Sequence, residues 1–269
     1  MFSIKNLQLI LLFVAALTNL ATYSFATDLA FPTNTVVKRT TFSGLTETIA
    51  QTGVGEKFIT DLSGVELFHW QSEKYLVLAS DEGCSLLVVP TSGNKLVVDK
   101  ARSYHLLELF FSSNVYSEVA RVKELDLEAL AISGEYLFAT ASASTKRKKP
   151  KGKSVSKDHK RLTTLSRACK KPIILTLNGT DKEIYPSDLL YVLKIVQDRR
   201  GNPLLKSHSV FNLRASLQRA KAYIATSDKP SKDNGLDVEG ITVANHELLL
   251  GLRGPVLRGH ALVASYPLE

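Results

Sequence analysis

Lys232 to Tyr266 reads KDNGLDVEGITVANHELLLGLRGPVLRGHALVASY. Its local chemistry predicts a small antiparallel sheet. Asp233-Asn234-Gly235 is a polar turn, because Asn and Gly tolerate the backbone angles a tight reversal needs. A short strand carrying Asp237 and Glu239 follows, then a turn at Ala244-Asn245-His246. Glu247 to Leu252 is a second, more apolar strand. An arginine–glycine corner (Arg253, Gly254, Pro255, Arg258, Gly259) separates it from a third strand, Ala261 to Tyr266.

Working outward, two earlier segments repeat this plan. Asp61-Leu62-Ser63-Gly64-Val65 precedes the apolar run Tyr75 to Ser80 and the turn Asp81-Glu82-Gly83. Asp126-Leu127-Glu128-Ala129-Leu130 precedes Tyr136 to Ala141. Each copy is an Asp-led strand, a turn and a more apolar strand. The leading aspartates are 65 and 111 residues apart. Further strands are expected at Thr35–Phe42, Ser85–Val89, Lys95–Val98, His105–Phe111, Pro172–Leu177 and Leu189–Val196. Short strands that recur with turn signals predict an all-β chain folded as a β-propeller, each blade a small antiparallel sheet. A β-sandwich is the competing arrangement. Leu213–Ala222 is the best helical pattern, with Asn212 as its N-cap.

Charge divides the chain unevenly. The net charge is +8, yet Lys146 to Lys171 holds twelve Lys/Arg against a single Asp. The rest of the chain is therefore net acidic, and the basic character belongs to one segment. Residues 145–171 lose apolar periodicity and read as a solvated loop inserted in the propeller domain, 27–269. Such a run suits contact with a polyanion. It lacks interleaved aromatics, so sequence-specific nucleic-acid reading is not expected.

Met1 to Ala26 has the layout of a secretory signal peptide. Lys5 precedes the apolar run Leu7–Ala16, and Ser24-Phe25-Ala26 supplies small residues at a cleavage site. A periplasmic or secreted mature protein is expected, without a transmembrane segment after cleavage; an uncleaved anchor is the alternative. In such a compartment Cys84 and Cys169 have the option of a disulfide, although nothing in the sequence brings them together.

GLDVEGITV and GLRGPVLRG, together with DLSGVEL, LASDEG, DLEALAI and the basic run, resemble an uncharacterised family of bacterial propeller-like domains of unknown function. That family is distantly similar to phytase-like esterase propellers. The resemblance runs from about Asp61 to the C-terminus and implies the propeller fold but no defined chemistry. Two departures stand out. Family members carry Gly-Ser-His-Ser where this chain has Ala141-Ser142-Ala143-Ser144, and they continue beyond the position of Glu269, so a C-terminal blade is expected to be missing here.

Alternate residues of a strand share a face, so Asp126 with Glu128 and Asp237 with Glu239 each set two carboxylates together. On innermost strands all four would meet at a central channel. Hard divalent cations, calcium or magnesium, take such oxygen ligands, and regucalcin-like and paraoxonase-like propellers hold a central metal this way. The plainer alternative is that these acids bond backbone amides in turns. Arg253 and Arg258 flank Gly254-Pro255 and form a candidate grip for a small anionic ligand; equally, an arginine there ties the corner to a carboxylate. No HExxH, GxSxG or glycine-rich phosphate loop occurs. The expectation is a metal-dependent hydrolase of an ester or phosphoester, with a non-catalytic ligand-binding or scaffold propeller as the alternative.

Overall fold

The structure is a computed structural model, and it describes residues 8–11, 61–93, 95–111, 122–152, 154–167, 169, 172–177, 180–220, 226 and 229–268. The expected strand at Thr35–Phe42 and most of the Met1–Ala26 segment lie outside these residues. Strand β1 is Gln8–Leu11. The described residues are mostly β, arranged as several antiparallel sheets.

Sheet I starts with β2 (Leu62–Trp70), β3 (Glu73–Ser80) and β4 (Ser85–Ser92). Both β5 (Lys95–Leu96) and β6 (Arg102–His105) pair with β4. Sheet II starts with β7 (Leu127–Ser133) and β8 (Tyr136–Ala141). The chain then leaves the sheet for two hairpins, β9 (Thr145–Arg147) with β10 (Leu165–Arg167), and β11 (Ile173–Leu177) with β12 (Thr180–Ile184). It returns as β13 (Leu189–Gln197), which pairs with β8, and β14 (Pro203–Asn212) at the edge. Sheet III is β15 (Asp237–Ala244), β16 (Glu247–Leu257) and β17 (His260–Pro267), with β1 antiparallel on β17. Asn245 and His246 both take left-handed backbone angles, φ 51° and 61°. That is the geometry of a two-residue hairpin turn whose twist matches its strands.

The first strands of the three sheets lie side by side, β7 against both β2 and β15. The repeat governs how they pack. Leu130 and Ile132 on β7 pack in the core shared with sheet I, and their counterparts Ile241 and Val243 on β15 pack in the core shared with sheet II. The receiving surface is cut to fit. A Cβ on Gly64 of β2 would sit 3.1 Å from Leu130 Cγ and 3.3 Å from the Ala129 backbone. The first core centres on Tyr191, which has no exposed surface. It also holds Cys84 and Cys169, both buried and both free thiols, so no disulfide joins them.

Several sequence expectations need correcting. The strand expected at Lys95–Val98 covers only Lys95–Leu96, and Val98–Lys100 is a 3-10 turn. Arg253-Gly254-Pro255 is not a corner but continues β16, and the reversal falls at Arg258-Gly259. His105–Phe111 is not a strand: β6 ends at His105, and Leu106–Phe110 is a short helix whose buried face is Leu106 and Leu107. His105 caps it by accepting from the Glu108 amide. The basic segment is not irregular throughout. It forms the β9–β10 hairpin carrying a helix, Val155–Thr163, that buries no residue and is capped by Ser154. Of the expected helix at Leu213–Ala222, the described residues are helical over Leu213–Leu217 and turn at 218–220, and Asn212 does cap it, accepting from the Ala215 amide at 2.8 Å. No described helix is long and apolar enough to cross a membrane.

Candidate functional site

Each first strand begins with the same irregularity. Leu62 pairs with Ser80 but Gly64 with Ala79, so Ser63 is left over. Leu127 pairs with Ala141 and Ala129 with Thr140, leaving Glu128. Val238 pairs with Leu252 and Gly240 with Gly251, leaving Glu239. An extra residue in one strand bends it and re-aims a side chain. Two of the three re-aimed side chains are the glutamates singled out in the sequence. The third, Ser63, donates to the Leu127 carbonyl and so stitches β2 to β7.

The bulges at Glu128 and Glu239 open onto a cavity of about 760 Å³. Asp81, Asp126, Glu128, Asp237 and Glu239 line it together, so the structure brings all four predicted carboxylates to one place. Asp126 is buried, with its own backbone left-handed at φ 57°. Lys146 Nζ donates to its Oδ1 at 2.8 Å, and the hydroxyls of Ser142 and Ser144, 2.9 Å apart, both reach its Oδ2. Lys146 also lies 3.6 Å from Glu124 Oε1. Burial works against the ammonium, but these two carboxylates outweigh it and hold the Lys146 pKa above its usual value.

Arg253 is likewise engaged. Its guanidinium bonds Asp237 Oδ2 and reaches Glu239 Oε1 at 2.5 Å. Of the two readings of this segment, an anion grip or an arginine tied to a carboxylate, the side chains as they stand show the tie, Arg253 with Asp237 and Glu239. Arg258 sits in the β16–β17 turn with φ 50°, exposed, and does not line the cavity.

Lys146 and Arg253 together do not balance the five carboxylates Asp81, Asp126, Glu128, Asp237 and Glu239. Burial, then Glu239, Asp126, Asp237 and Asp81 in turn, push Glu128 up to about 8. Asp237 is raised to about 6 by burial first; Arg253 pulls it down and Glu239 pushes it up. Asp81 is raised too, by burial and then by Asp61 and Asp126. Two carboxylate oxygens here, Asp81 Oδ1 and Asp237 Oδ1, are buried without a hydrogen-bond partner, and Asp237 is only 1% exposed. A buried charged oxygen without a partner is costly. The donor set is all oxygen, which suits a hard cation. As the side chains stand, no three His, Cys, Asp or Glu among the described residues are gathered into a metal cluster. Arg253 and Lys146 would have to yield part of their hold for a cation to enter.

Sequence reasoning missed Asp81, Ser142, Ser144 and Lys146. A signal existed. Asp81 and Ser142 both follow the apolar second strand of their repeats, and each donates its amide to the leading aspartate's carbonyl, Asp61 and Asp126 respectively.

The family model for "Protein of unknown function (DUF3616)" matches residues 61–269. The chain belongs to this family. The matched span includes all three Asp-led repeats, the basic insertion and the whole acidic cavity of this DUF3616 chain. No curated protein matches it.

Proposed function

We propose that this chain is an exported β-propeller whose mouth takes a divalent cation, calcium or magnesium, on Glu128, Glu239, Asp126 and Asp237, and hydrolyses an ester or phosphoester there. Three observations support the propeller. The sheets are small and antiparallel, their first strands adjoin, and one packing rule relates them. By that rule Val65 and Leu67 of β2, 55% and 50% exposed, stand where a further sheet would pack. At the other end Gly240 of β15, the counterpart of Gly64, has open space beyond it. The leader-like layout of Met1–Ala26 supports export; the same stretch supplies β1, Gln8–Leu11, to the edge of sheet III, and cleavage after Ala26 would remove that strand.

The observation that carries the cation is the unpartnered, buried Asp237 Oδ1 beside four further carboxylates. A cation there would supply Lewis acidity toward an ester or phosphoryl oxygen. The chain's own part is to orient. Lys146 with Ser142 and Ser144 fixes Asp126, and Arg253 holds Asp237 and Glu239 until a ligand competes. Glu128, raised to about 8 while the carboxylates face one another without a cation, gives up its proton as the cation binds and serves as one of its ligands.

The test is release of nitrophenol from 4-nitrophenyl phosphate and 4-nitrophenyl acetate, in chelator and with millimolar Ca²⁺ or Mg²⁺, on wild type and Glu239→Gln. Cation-dependent turnover lost in the variant is expected. A cation-induced rise in melting temperature without turnover would leave the second reading, a ligand-binding propeller. That reading is favoured by Arg253 being tied to carboxylates rather than aimed at a substrate. No effect of either cation on melting or turnover would remove the site.

A further inference from the structure

The cavity is segregated by charge. Its floor is the acidic cluster at the strand starts. Its wall is the β9–β10 arm and the turn before β15, which present Lys148, Lys149 and Lys232. Arg147 on the same wall is paired with Asp233. The arm is braced rather than loose. Arg161 Nε, from the exposed helix, donates to the Lys149 carbonyl at 2.6 Å, and Asp158 Oδ1 accepts from the Lys151 amide at 2.8 Å. The base of the arm is anchored as well. Lys146 on β9 bonds Asp126 in the floor, and Arg167 on β10 pairs with buried Asp188 at 3.2 Å.

A bare cation entering this cavity meets the lysine wall, and a bare anion meets the acidic floor. A ligand that carries both signs is attracted by both surfaces. We infer that the ligand is a phosphate-bearing small molecule that binds together with its divalent cation, the cation against Asp237 Oδ1 and its neighbours, the phosphate against Lys148, Lys149 and Lys232. The inference rests on the cation reading above and adds the ligand class, the residues that select it and the coupling between the two. Arg253 and Arg258 are not the selecting pair. The arm is. Coupling of this kind is reciprocal: phosphate strengthens cation binding by the factor by which cation strengthens phosphate binding.

Magnesium chloride and inorganic pyrophosphate are suitable probes. Calorimetric titration of the full chain is carried out with pyrophosphate in chelator, with pyrophosphate at fixed Mg²⁺, and with Mg²⁺ alone. Pyrophosphate affinity is expected to rise on the order of tenfold with Mg²⁺, with the reverse titration giving the same factor. The double variant Lys148→Glu, Lys149→Glu should lose pyrophosphate binding while keeping its response to Mg²⁺ alone. Both changes are on exposed side chains, so a melting curve like that of wild type checks the fold. Pyrophosphate binding that is equal with and without Mg²⁺ would overturn the inference, since the arm would then be a plain polyanion patch. So would a double variant that binds like wild type. Mg²⁺ binding with no pyrophosphate binding overturns the inference but leaves the cation site standing. Absence of any Mg²⁺ response, with or without pyrophosphate, sinks the cation reading itself.

Discussion

Asp188 and Asp237 are both buried aspartates beside arginines, at 4% and 1% exposure, yet their surroundings differ in kind. Asp188 is enclosed by two guanidiniums, Arg214 Nε on Oδ1 at 3.3 Å and Arg167 Nε on Oδ2 at 3.2 Å. Arg214 is itself buried and also donates to the carbonyl of Ala143. It therefore fixes the turn that carries Ser142 and Ser144. Asp237 has one arginine, largely exposed, shares it with Glu239, and keeps one oxygen unpartnered. Both carboxyls are raised by burial, but only around Asp237 do neighbouring carboxylates push further. Both Asp188 oxygens are paired, although Arg167 Nη1 beside them is buried without a hydrogen-bond partner, and such pairing ties the fold together. The unpaired oxygen of Asp237 is what the proposed cation would satisfy.

The largest expected effect comes from breaking the closed side. Asp188→Asn leaves two buried or half-buried arginines without their carboxylate. Removing one partner of a buried ion pair costs roughly 3–5 kcal/mol, read as a fall in the urea midpoint. A loss below about 1 kcal/mol would mean that Asp188 is not the anchor its geometry implies.

The glycines sharpen the same contrast between filled and open places. Gly64→Val forces a side chain against Leu130 and the Ala129 backbone. Overpacking of that kind costs about 1–3 kcal/mol. Gly240→Val meets open space and is expected to be neutral within about 0.5 kcal/mol, or slightly stabilising because valine suits a strand. Equal destabilisation by both would show that the face beyond Gly240 is covered.

The pH response probes the open side. Glu128 is raised to about 8 in the folded chain, so its contribution to stability is fully present below the ordinary glutamate range. It is lost as pH climbs toward 8. Asp237, raised to about 6, acts in the same direction over a lower window. The cation-free protein should therefore lose melting temperature between pH 5 and pH 8. Glu128→Gln, which cannot ionise, should flatten that slope, and Mg²⁺ should flatten it in wild type. Parallel slopes in wild type and variant would argue that Glu128 faces water.

Deleting Ser154 to Arg161 should change least. The helix there buries no residue, and solvated surface segments matter by less than about 0.5 kcal/mol. Retention on a polyanion column should weaken, because Lys157, Lys160 and Arg161 go with it and Lys149 loses its brace. A cooperative melt lost in the deletion would show that the arm is packed.

Much of this was legible in the residues alone. Asp61, Asp126 and Asp237 head three strands because an Asp-led strand, a turn and a more apolar strand recur in one order, and each is a local property of a few adjacent residues; the bulge in each first strand showed only in the register. The Asn245-His246 turn and the Asn212 cap are local in the same sense. His105–Phe111 was misread because a short apolar run fits helix and strand alike. The arm was misread because its helix has no core-facing stripe. The tertiary structure alone decided that Asp81, Ser142 and Lys146 join the carboxylates, that Arg253 is tied while Arg258 stands apart, and that Arg214 reaches Ala143 across 71 positions of chain. Spacing along the chain carries no trace of such meetings. They arise where bulged strand starts from separate sheets converge, and there burial and unbalanced charge give ordinary acids their unusual character.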